Sequence, residues 1–383
     1  MDLKLFFSPV PEECIPNTPH QHSFYHGISA FTDSMPAKGG QQIALIGLEE
    51  ARGCEVPDAM ANAANIVRRK LYQLKKGTGN YRIIDLGNLK NGISREETVK
   101  RIREVCQHLI SSNILPVLFG GTHDLDYGQY QAFEGLDKLV SFINVDAFLD
   151  INENTFDNGT HIENILLHEP NYLFNYSHLA HQSYLIDESA LNMLEKLYFE
   201  SYRVGLIRSN LSDMEPVVRD GDVMSFDMRA LRSGDAPGTV NAQPFGLTGE
   251  EACQLCWYAG VNEKMSSMGF YEYAPKFDDN KKTAAIMATM IWYFIEGFYH
   301  RKGEHLFRDN DYLKYVVSMP SSPEIIVFYK SKLSEKWWME VPLPEISEKY
   351  HRNFMVPCSY TDYKTATDGE VPDRYVNTHA RLI

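Results

Sequence analysis

Polar residues that are suited to binding a divalent cation follow several apolar runs in this 383-residue sequence. His123 and Asp124 come directly after the run 114–119, and Asp146 and Asp150 come at and after the end of the run 139–146. Carboxylate oxygens and imidazole nitrogens are the ligands that hard or borderline divalent ions prefer. A single Asp after a strand is more often a turn former or a helix cap, so the prediction rests on the combination.

The same arrangement recurs further along the chain. Asp227 lies near the end of the run 222–228 and is followed by Arg229, and Glu272 lies near the end of the run 264–273. His161 lies between these runs, in the Gly-flanked segment NGTHIEN, which we expect to be a loop. Taken together and in this order, the residues predict one site rather than unrelated turns.

The elements that must position these residues alternate between strand and helix. Segments with helical apolar spacing separate the runs, and capping boxes begin at Ser94 and Thr248. The predicted strands are 42–48, 81–87, 114–119, 139–146, 202–207, 222–228 and 264–273. Continuous apolar strands alternating with helices predict a three-layer α-β-α fold around a mostly parallel sheet of roughly eight strands. In such sheets the carboxyl ends of the strands gather at one edge, where the site is expected.

Three segments are expected along the chain. Residues 1–40 form an N-terminal arm, residues 41–302 form the α/β domain, and residues 303–383 form a C-terminal extension that packs on it. Within the extension, the amphipathic segment 323–344 predicts a β-hairpin.

Composition excludes several classes of function. The net charge of -14 argues against nucleic-acid binding, since a phosphate backbone requires a basic surface. No run of eighteen apolar residues is present, and the N-terminus lacks the pattern of a secretion signal, so a cytoplasmic protein is expected. Cys253 and Cys256 form a CxxC within a predicted helix and are interpreted as core thiols. No function is assigned to His20, His22 and His26.

The ordered motifs resemble those of the ureohydrolases, the family of arginase, agmatinase and formimidoylglutamase. They are GGTHD (120–124), DAFLD (146–150), SFDMRALRSGDAPG (225–238), FGLT (245–248) and YEYAP (271–275). The resemblance covers roughly residues 40–302, and the segments NAQPFGL and IWYFIEGFY resemble formimidoylglutamase-like chains. It implies a three-layer α/β fold, two manganese ions, and hydrolysis of guanidino or formimino C–N bonds.

The resemblance also implies the metal ligands. One ion would be held by His123, Asp146, Asp150 and Asp227, all of which are present. A second ion would share two of these aspartates.

The residues that would belong to the second ion alone are missing. The family has a His at the position of Phe148 and an Asp at the position of Arg229. We therefore expect at most one Mn²⁺, with the Arg229 guanidinium standing in for the other ion. The alternative is that Arg229 lies on the surface of a shifted loop. Asp124 is a further possible ligand.

Two functional hypotheses remain open at this stage. In the first, the chain is a hydrolase of a small linear amidine or guanidino compound, in which Glu272 pairs with the substrate cation, His161 carries protons, and Arg229 favours hydroxide. In the second, it is a catalytically inactive relative with a binding or structural role. The resemblance also leads us to expect a homo-oligomer.

Overall fold

The structure is a computed structural model that describes residues 1–17, 19–36, 39–136, 138–151, 161–304, 311–343 and 354–383. The strands are β1 (Phe7–Ser8), β2 (Ile28–Ala30), β3 (Ile43–Leu48), β4 (Ile83–Leu89), β5 (Leu115–Gly120), β6 (Val140–Val145), β7 (Leu173–His181), β8 (Glu200–Arg203), β9 (Val223–Asp227), β10 (Ser267–Tyr271), β11 (Tyr312–Ser318), β12 (Ile325–Ser331), β13 (Trp337–Val341) and β14 (Phe354–Cys358). The α-helices are α1 (Ala63–Gln73), α2 (Arg95–Ser111), α3 (Asp126–Gln131), α4 (His161–Leu166), α5 (Glu188–Lys196), α6 (Val204–Ser209), α7 (Met214–Arg219), α8 (Gly249–Val261), α9 (Lys282–Tyr299), α10 (Tyr360–Thr367) and α11 (Asp373–Leu382).

The main sheet has ten strands. Its order is β1-β4-β3-β5-β10-β9-β6-β7-β8, and β2 also pairs with β4. The eight strands from β3 to β10 are parallel to their neighbours, and β1 pairs antiparallel with β4. The predicted mostly parallel sheet is therefore confirmed, and the N-terminal segment adds two further strands to the eight.

Helices cover both faces of this sheet because its central strands are apolar along their whole length. Every residue of β3, β5 and β6 is buried. One core lies between the sheet and the helices α1, α8 and α9, and includes Val67, Leu255 and Ile291. A second core lies with α2 to α5, and includes Ile102 and Leu194. The helices on one face, the sheet and the helices on the other face are the three layers that the sequence predicts, and one core lies between each helical layer and the sheet.

Two sequence predictions about strands were wrong. Residues 202–207 are not a strand, because β8 ends at Arg203 and α6 begins at Val204. The sequence analysis also missed β7, whose apolar run is interrupted by Asn175, Ser177 and His178. All three polar side chains are buried, so this strand does not have the continuous apolar pattern of its neighbours.

The C-terminal part forms a separate four-stranded antiparallel sheet with α10 and α11. β12 and β13 pair in the segment where the hairpin was expected, and β11 and β14 extend the sheet on either side. The guanidinium of Arg219, at the end of α7, lies 4.2 Å from the centre of the Trp338 ring. It also donates to the carbonyl oxygens of Trp337 (3.0 Å) and Cys358 (3.3 Å), so this sheet packs against the α/β part.

Among the described residues, no helix has the length and apolar character that crossing a membrane requires.

Candidate metal centre

The site forms where four neighbouring strands end. β5, β10, β9 and β6 are adjacent in the sheet, and their carboxyl ends lead to His123, Glu272, Asp227 and Asp146. The turn after β5 depends on glycine, because Gly120 has a φ of +92° and a Cβ there would lie 2.5 Å from the Leu48 carbonyl oxygen. The chain can thus turn sharply and begin a short 3-10 helix at His123.

Three of the four expected ligands of the first ion lie together. His123 Nδ1 is 3.1 Å from Asp227 Oδ2 and 3.2 Å from Asp146 Oδ2. All three side chains are fully buried, and their ligand atoms lie within 4.8 Å of one another. His123 Nδ1 has no hydrogen bond of good geometry to a described residue, whereas Nε2 on the other side of the ring lies 2.8 Å from Ser225 Oγ. The free nitrogen therefore faces the carboxylates, as a metal ligand would.

Asp150, the fourth expected ligand, lies beside this group. Its Oδ2 is 3.5 Å from Arg229 Nη2 and 3.6 Å from His161 Nδ1. Among the described residues it belongs to neither of the two close groups of possible metal ligands.

Arg229 lies inside the carboxylate cluster, so the alternative of a surface arginine is wrong. Its Nη2 is 2.5 Å from Asp227 Oδ2, 3.4 Å from Asp146 Oδ2 and 3.5 Å from Asp150 Oδ2. Its backbone N–H and Nε donate to the two oxygens of Asp227 at 2.6 and 2.7 Å. The guanidinium carbon is 5.0 Å from the centre of the Phe148 ring, a cation–π distance. The two residues that depart from the resemblance therefore contact each other.

The charges of the cluster act on one another. Burial disfavours ionisation of Asp227, but the Arg229 guanidinium and His123 outweigh it and hold the pKa of Asp227 below its usual range. Burial and the charge of Asp227 raise the pKa of Asp146 to about 6. The two neighbouring carboxylates thus differ in pKa, because Arg229 stabilises the ionised form of Asp227, which it contacts most directly, more than that of Asp146.

Glu272 supports His123 from the end of β10. Its Oε1 accepts a hydrogen bond of 2.9 Å from the His123 backbone N–H, and the side chain is buried. Burial raises the pKa of Glu272 to about 7, and Arg229 acts in the opposite direction. Its backbone φ of +66° is unfavourable for a residue with a side chain, which is the kind of strain that concentrates at functional sites.

His161 is the first residue of α4 rather than part of a loop, and residues 152–160 lie outside the described residues. Its ring is buried, and its centre is 4.6 Å from that of His123. Burial disfavours its protonation, but the Asp126 carboxylate, 3.5 Å from Nε2, outweighs this and the pKa of His161 is raised to about 9.

Asp126 was not among the predicted site residues, which came from the ends of strands and from the segment around His161. It is the first residue of α3, is fully buried, and forms a second group of possible metal ligands with His123 and His161. The spacing His-x-x-Asp at the start of a helix was the available signal, since residues three apart lie on one face. Asp124, the expected alternative ligand, belongs to neither group among the described residues and lies 3.5 Å from Arg95 Nε.

The residues present fit one ion of the two that the family would have. His123, Asp146 and Asp227 supply a nitrogen and two carboxylates at mutual distances suited to one divalent ion. The second position has an aromatic ring and a guanidinium where two ligands are required, and so does not fit.

The chain was compared with known proteins. A sequence profile of the arginase family matches residues 46–296. Formimidoylglutamase from Geobacillus sp. (strain WCH70) is 24% identical over 231 residues, which are 57% of this chain and 71% of that protein. The crystal structure of Trypanosoma cruzi formiminoglutamase with Mn²⁺₂ superposes with a TM-score of 0.64 at 20% identity, covering 70% of this chain and 97% of that one. The crystal structure of formimidoylglutamase from Bacillus subtilis superposes with a TM-score of 0.65 at 18% identity, covering 76% of this chain and 97% of that one.

Proposed function

Because the chain belongs to the arginase family, we propose that it is a formimidoylglutamase-like hydrolase of linear amidine C–N bonds that works with a single divalent ion, Mn²⁺ in the first instance. The observation that carries this proposal is the buried group His123, Asp146 and Asp227, in which His123 Nδ1 faces two carboxylates and has no hydrogen bond of good geometry within the described residues. A buried nitrogen in that position costs free energy unless a ligand uses it.

The second cation of the family site is replaced by Arg229. A guanidinium carries one fixed positive charge and five donors, and it cannot lose its proton at neutral pH. Arg229 therefore reduces the repulsion between Asp146 and Asp227 without offering a coordination site. A bound divalent ion would supply the acidification of water that the reaction requires.

Two further groups have roles in the hydrolysis. Glu272 is the carboxylate proposed to pair with the amidinium of the substrate, and its pKa of about 7 makes it increasingly anionic above neutral pH. His161, with a pKa of about 9, carries a proton at neutral pH that the leaving nitrogen must acquire when the C–N bond breaks. Water adds to the amidine carbon before this bond breaks and supplies the oxygen of the product amide.

A second candidate is supported by two contacts. Arg229 hydrogen-bonds both oxygens of Asp227, and Glu272 is bound to the His123 N–H. If these contacts persist in solution, the groups needed for catalysis are occupied by the protein itself. The chain would then be a catalytically inactive relative with a binding or structural role.

Substrate turnover distinguishes the two candidates. The Mn²⁺-dialysed protein is assayed with N-formimino-glutamate, agmatine and arginine for release of formamide or urea. A hydrolase exceeds a metal-only blank, and Asp227→Asn and Glu272→Gln reduce kcat/KM by about 100-fold or more. Asp124→Asn is the matched control and leaves turnover unchanged. Turnover no higher than the blank with all three compounds contradicts the hydrolase and leaves the second candidate.

The homo-oligomer and the cytoplasmic location expected from the sequence remain predictions. Light scattering of the purified chain tests the former.

A further inference from the structure

His123 has possible metal ligands on both sides of its ring. Nδ1 faces Asp146 and Asp227, and Nε2 lies 3.6 Å from Asp126 Oδ2. The same Asp126 oxygen lies 3.5 Å from His161 Nε2. We call the group on the Nε2 side, made of His123, Asp126 and His161, the outer triad.

Asp126 is the unusual member of the outer triad. Its side chain is fully buried, and among the residues that the structure describes neither carboxylate oxygen has a hydrogen-bond partner. The two imidazole contacts at 3.5 and 3.6 Å are longer than hydrogen bonds. Buried carboxylates without hydrogen bonds are rare because desolvation of the charge is unfavourable, so a group left in this state is typical of a site that binds an ion.

The distances in the outer triad match those of a small tetrahedral ion. Two ligands at about 2.05 Å from a tetrahedral centre lie about 3.4 Å apart. The two separations that Asp126 Oδ2 makes are 3.5 and 3.6 Å, and the three ligand atoms lie within 4.8 Å of one another. Two imidazoles and one carboxylate are a donor set that zinc takes with a fourth position left open.

We propose that His123, Asp126 and His161 bind one borderline divalent ion, for which Zn²⁺ is the best fit, at a position distinct from the Asp146–Asp227 side of the ring. This proposal does not depend on whether the chain is a hydrolase. It concerns residues outside the expected ligand set, apart from the shared His123.

His123 belongs both to the outer triad and to the group with Asp146 and Asp227, so an ion can occupy only one of these two positions at a time. A neutral imidazole offers one unprotonated nitrogen, so it ligates an ion on one side of the ring at a time. On the Nδ1 side, Asp227 Oδ2 already accepts hydrogen bonds from Arg229. On the Nε2 side, neither oxygen of Asp126 has a hydrogen bond to a described residue. His123 Nε2 itself lies 2.8 Å from Ser225 Oγ, a hydroxyl that an ion bound to Nε2 would displace. A borderline ion is therefore bound on the Asp126 side, and the total remains one ion per chain.

The experiment compares four single variants with the wild-type chain by isothermal titration with Zn²⁺ after chelator treatment. We expect Asp126→Asn and His161→Gln to weaken Zn²⁺ binding by about 100-fold or more, and Asp146→Asn by less than about 3-fold. Asp124→Asn is the neighbouring control and leaves the affinity unchanged. Urea unfolding of each chelated variant checks that the chain is folded.

The position of the ion gives a second readout. Anomalous diffraction at the zinc edge, from crystals of the full chain, places the ion between Asp126 and His161 if the proposal holds. A peak between Asp146 and Asp227, or a larger loss of affinity in Asp146→Asn than in Asp126→Asn, overturns it. Absence of Zn²⁺ binding to the wild-type chain also overturns it. Turnover with Mn²⁺ is measured separately, so loss of the zinc site and loss of the proposed hydrolase are distinguishable.

Discussion

Among the described residues of the α/β part, the clusters around Arg68 and Arg229 both bury aspartates, and of these two only the first is fully hydrogen-bonded. In the first, Arg68 Nε and Nη2 donate to the two oxygens of Asp85 at 2.8 and 3.2 Å. Its remaining donors reach Asn65, Asn88 and the Gly87 carbonyl oxygen. The side chains of Arg68 and Asp85 are fully buried, and neither has an unpaired polar atom.

The second cluster is built around Arg229 and Asp227 and is incomplete. His123 Nδ1, both oxygens of Asp126 and Asp150 Oδ2 are buried there without hydrogen bonds to the part of the chain that the structure describes. The side chains of Arg229 and Asp150 are 12% exposed, whereas those of Arg68 and Asp85 are fully buried, but the larger difference lies in how many polar atoms are hydrogen-bonded. A structural ion pair requires that all of its buried polar atoms have hydrogen bonds. The polar atoms of the second cluster that lack them indicate a place for a ligand.

The largest expected loss of stability follows from a substitution in the cluster of Arg68 and Asp85. Arg68→Met leaves the Asp85 carboxylate buried without its cation, and we expect a loss of about 3–5 kcal/mol in the free energy of unfolding. Urea unfolding measures it. In Arg229→Met a divalent ion can replace the lost charge, so we expect the loss there to be largely recovered when Mn²⁺ is added. A loss in Arg68→Met that Mn²⁺ also restores would contradict the distinction between the clusters.

The pH dependence of stability should reveal the second cluster. Since the pKa of His161 is about 9 in the folded chain and 6.5 ordinarily, its proton stabilises the fold below pH 6.5. This contribution, at most about 3 kcal/mol, is lost as the pH rises through 9. Urea unfolding of the ion-free chain from pH 6 to 9.5 tests it. Asp126→Asn removes the main cause of the shift and should flatten the profile, and an unchanged slope in that variant would be contrary to our expectation.

Restoring the missing ligands should complete the family site. We expect the double substitution Phe148→His with Arg229→Asp to raise the metal content from one to two Mn²⁺ per chain. A second ion present at 100 times its Kd would add about 2.7 kcal/mol to stability. Elemental analysis measures the metal content, with each single variant as a control. Unchanged content would show that the pocket differs from the family site in more than these two positions.

The smallest effect is expected at Glu272. A Gln at this position keeps an oxygen that accepts the His123 N–H, so the free energy of unfolding of Glu272→Gln should change by less than about 1 kcal/mol. Glu272→Ala removes the acceptor and is expected to cost about 1–3 kcal/mol more. Equal stability of the two variants would mean that this hydrogen bond is not formed in solution.

The sequence predicted the parts of the fold that follow from apolar continuity. β3, β5 and β6 are entirely buried, and their apolar runs could be recognised without the structure. β7 could not, because the partners that allow its Asn175 to be buried, Asp220 and Arg381, are distant in sequence. Residues 204–207 are apolar enough for a strand, and the tertiary structure makes them helical.

The candidate site, like the fold, could be predicted only in part. Strand ends led to His123, Asp146 and Asp227, which lie together, while Asp126 was missed because it begins a helix after the strand. The contact between Phe148 and Arg229 could not be read from residues 81 positions apart. Because the two side chains that differ from the family contact each other, we interpret the two differences as linked.

The metal content of the wild-type chain tests the central claim most directly. The purified protein is stripped with a chelator, dialysed against Mn²⁺ and then against buffer, and analysed for bound manganese per chain. We expect one ion, because His123, Asp146 and Asp227 supply one position and Arg229 with Phe148 occupies the other. Two ions would contradict the replacement of the second ion by Arg229. No ion would contradict the retained first position.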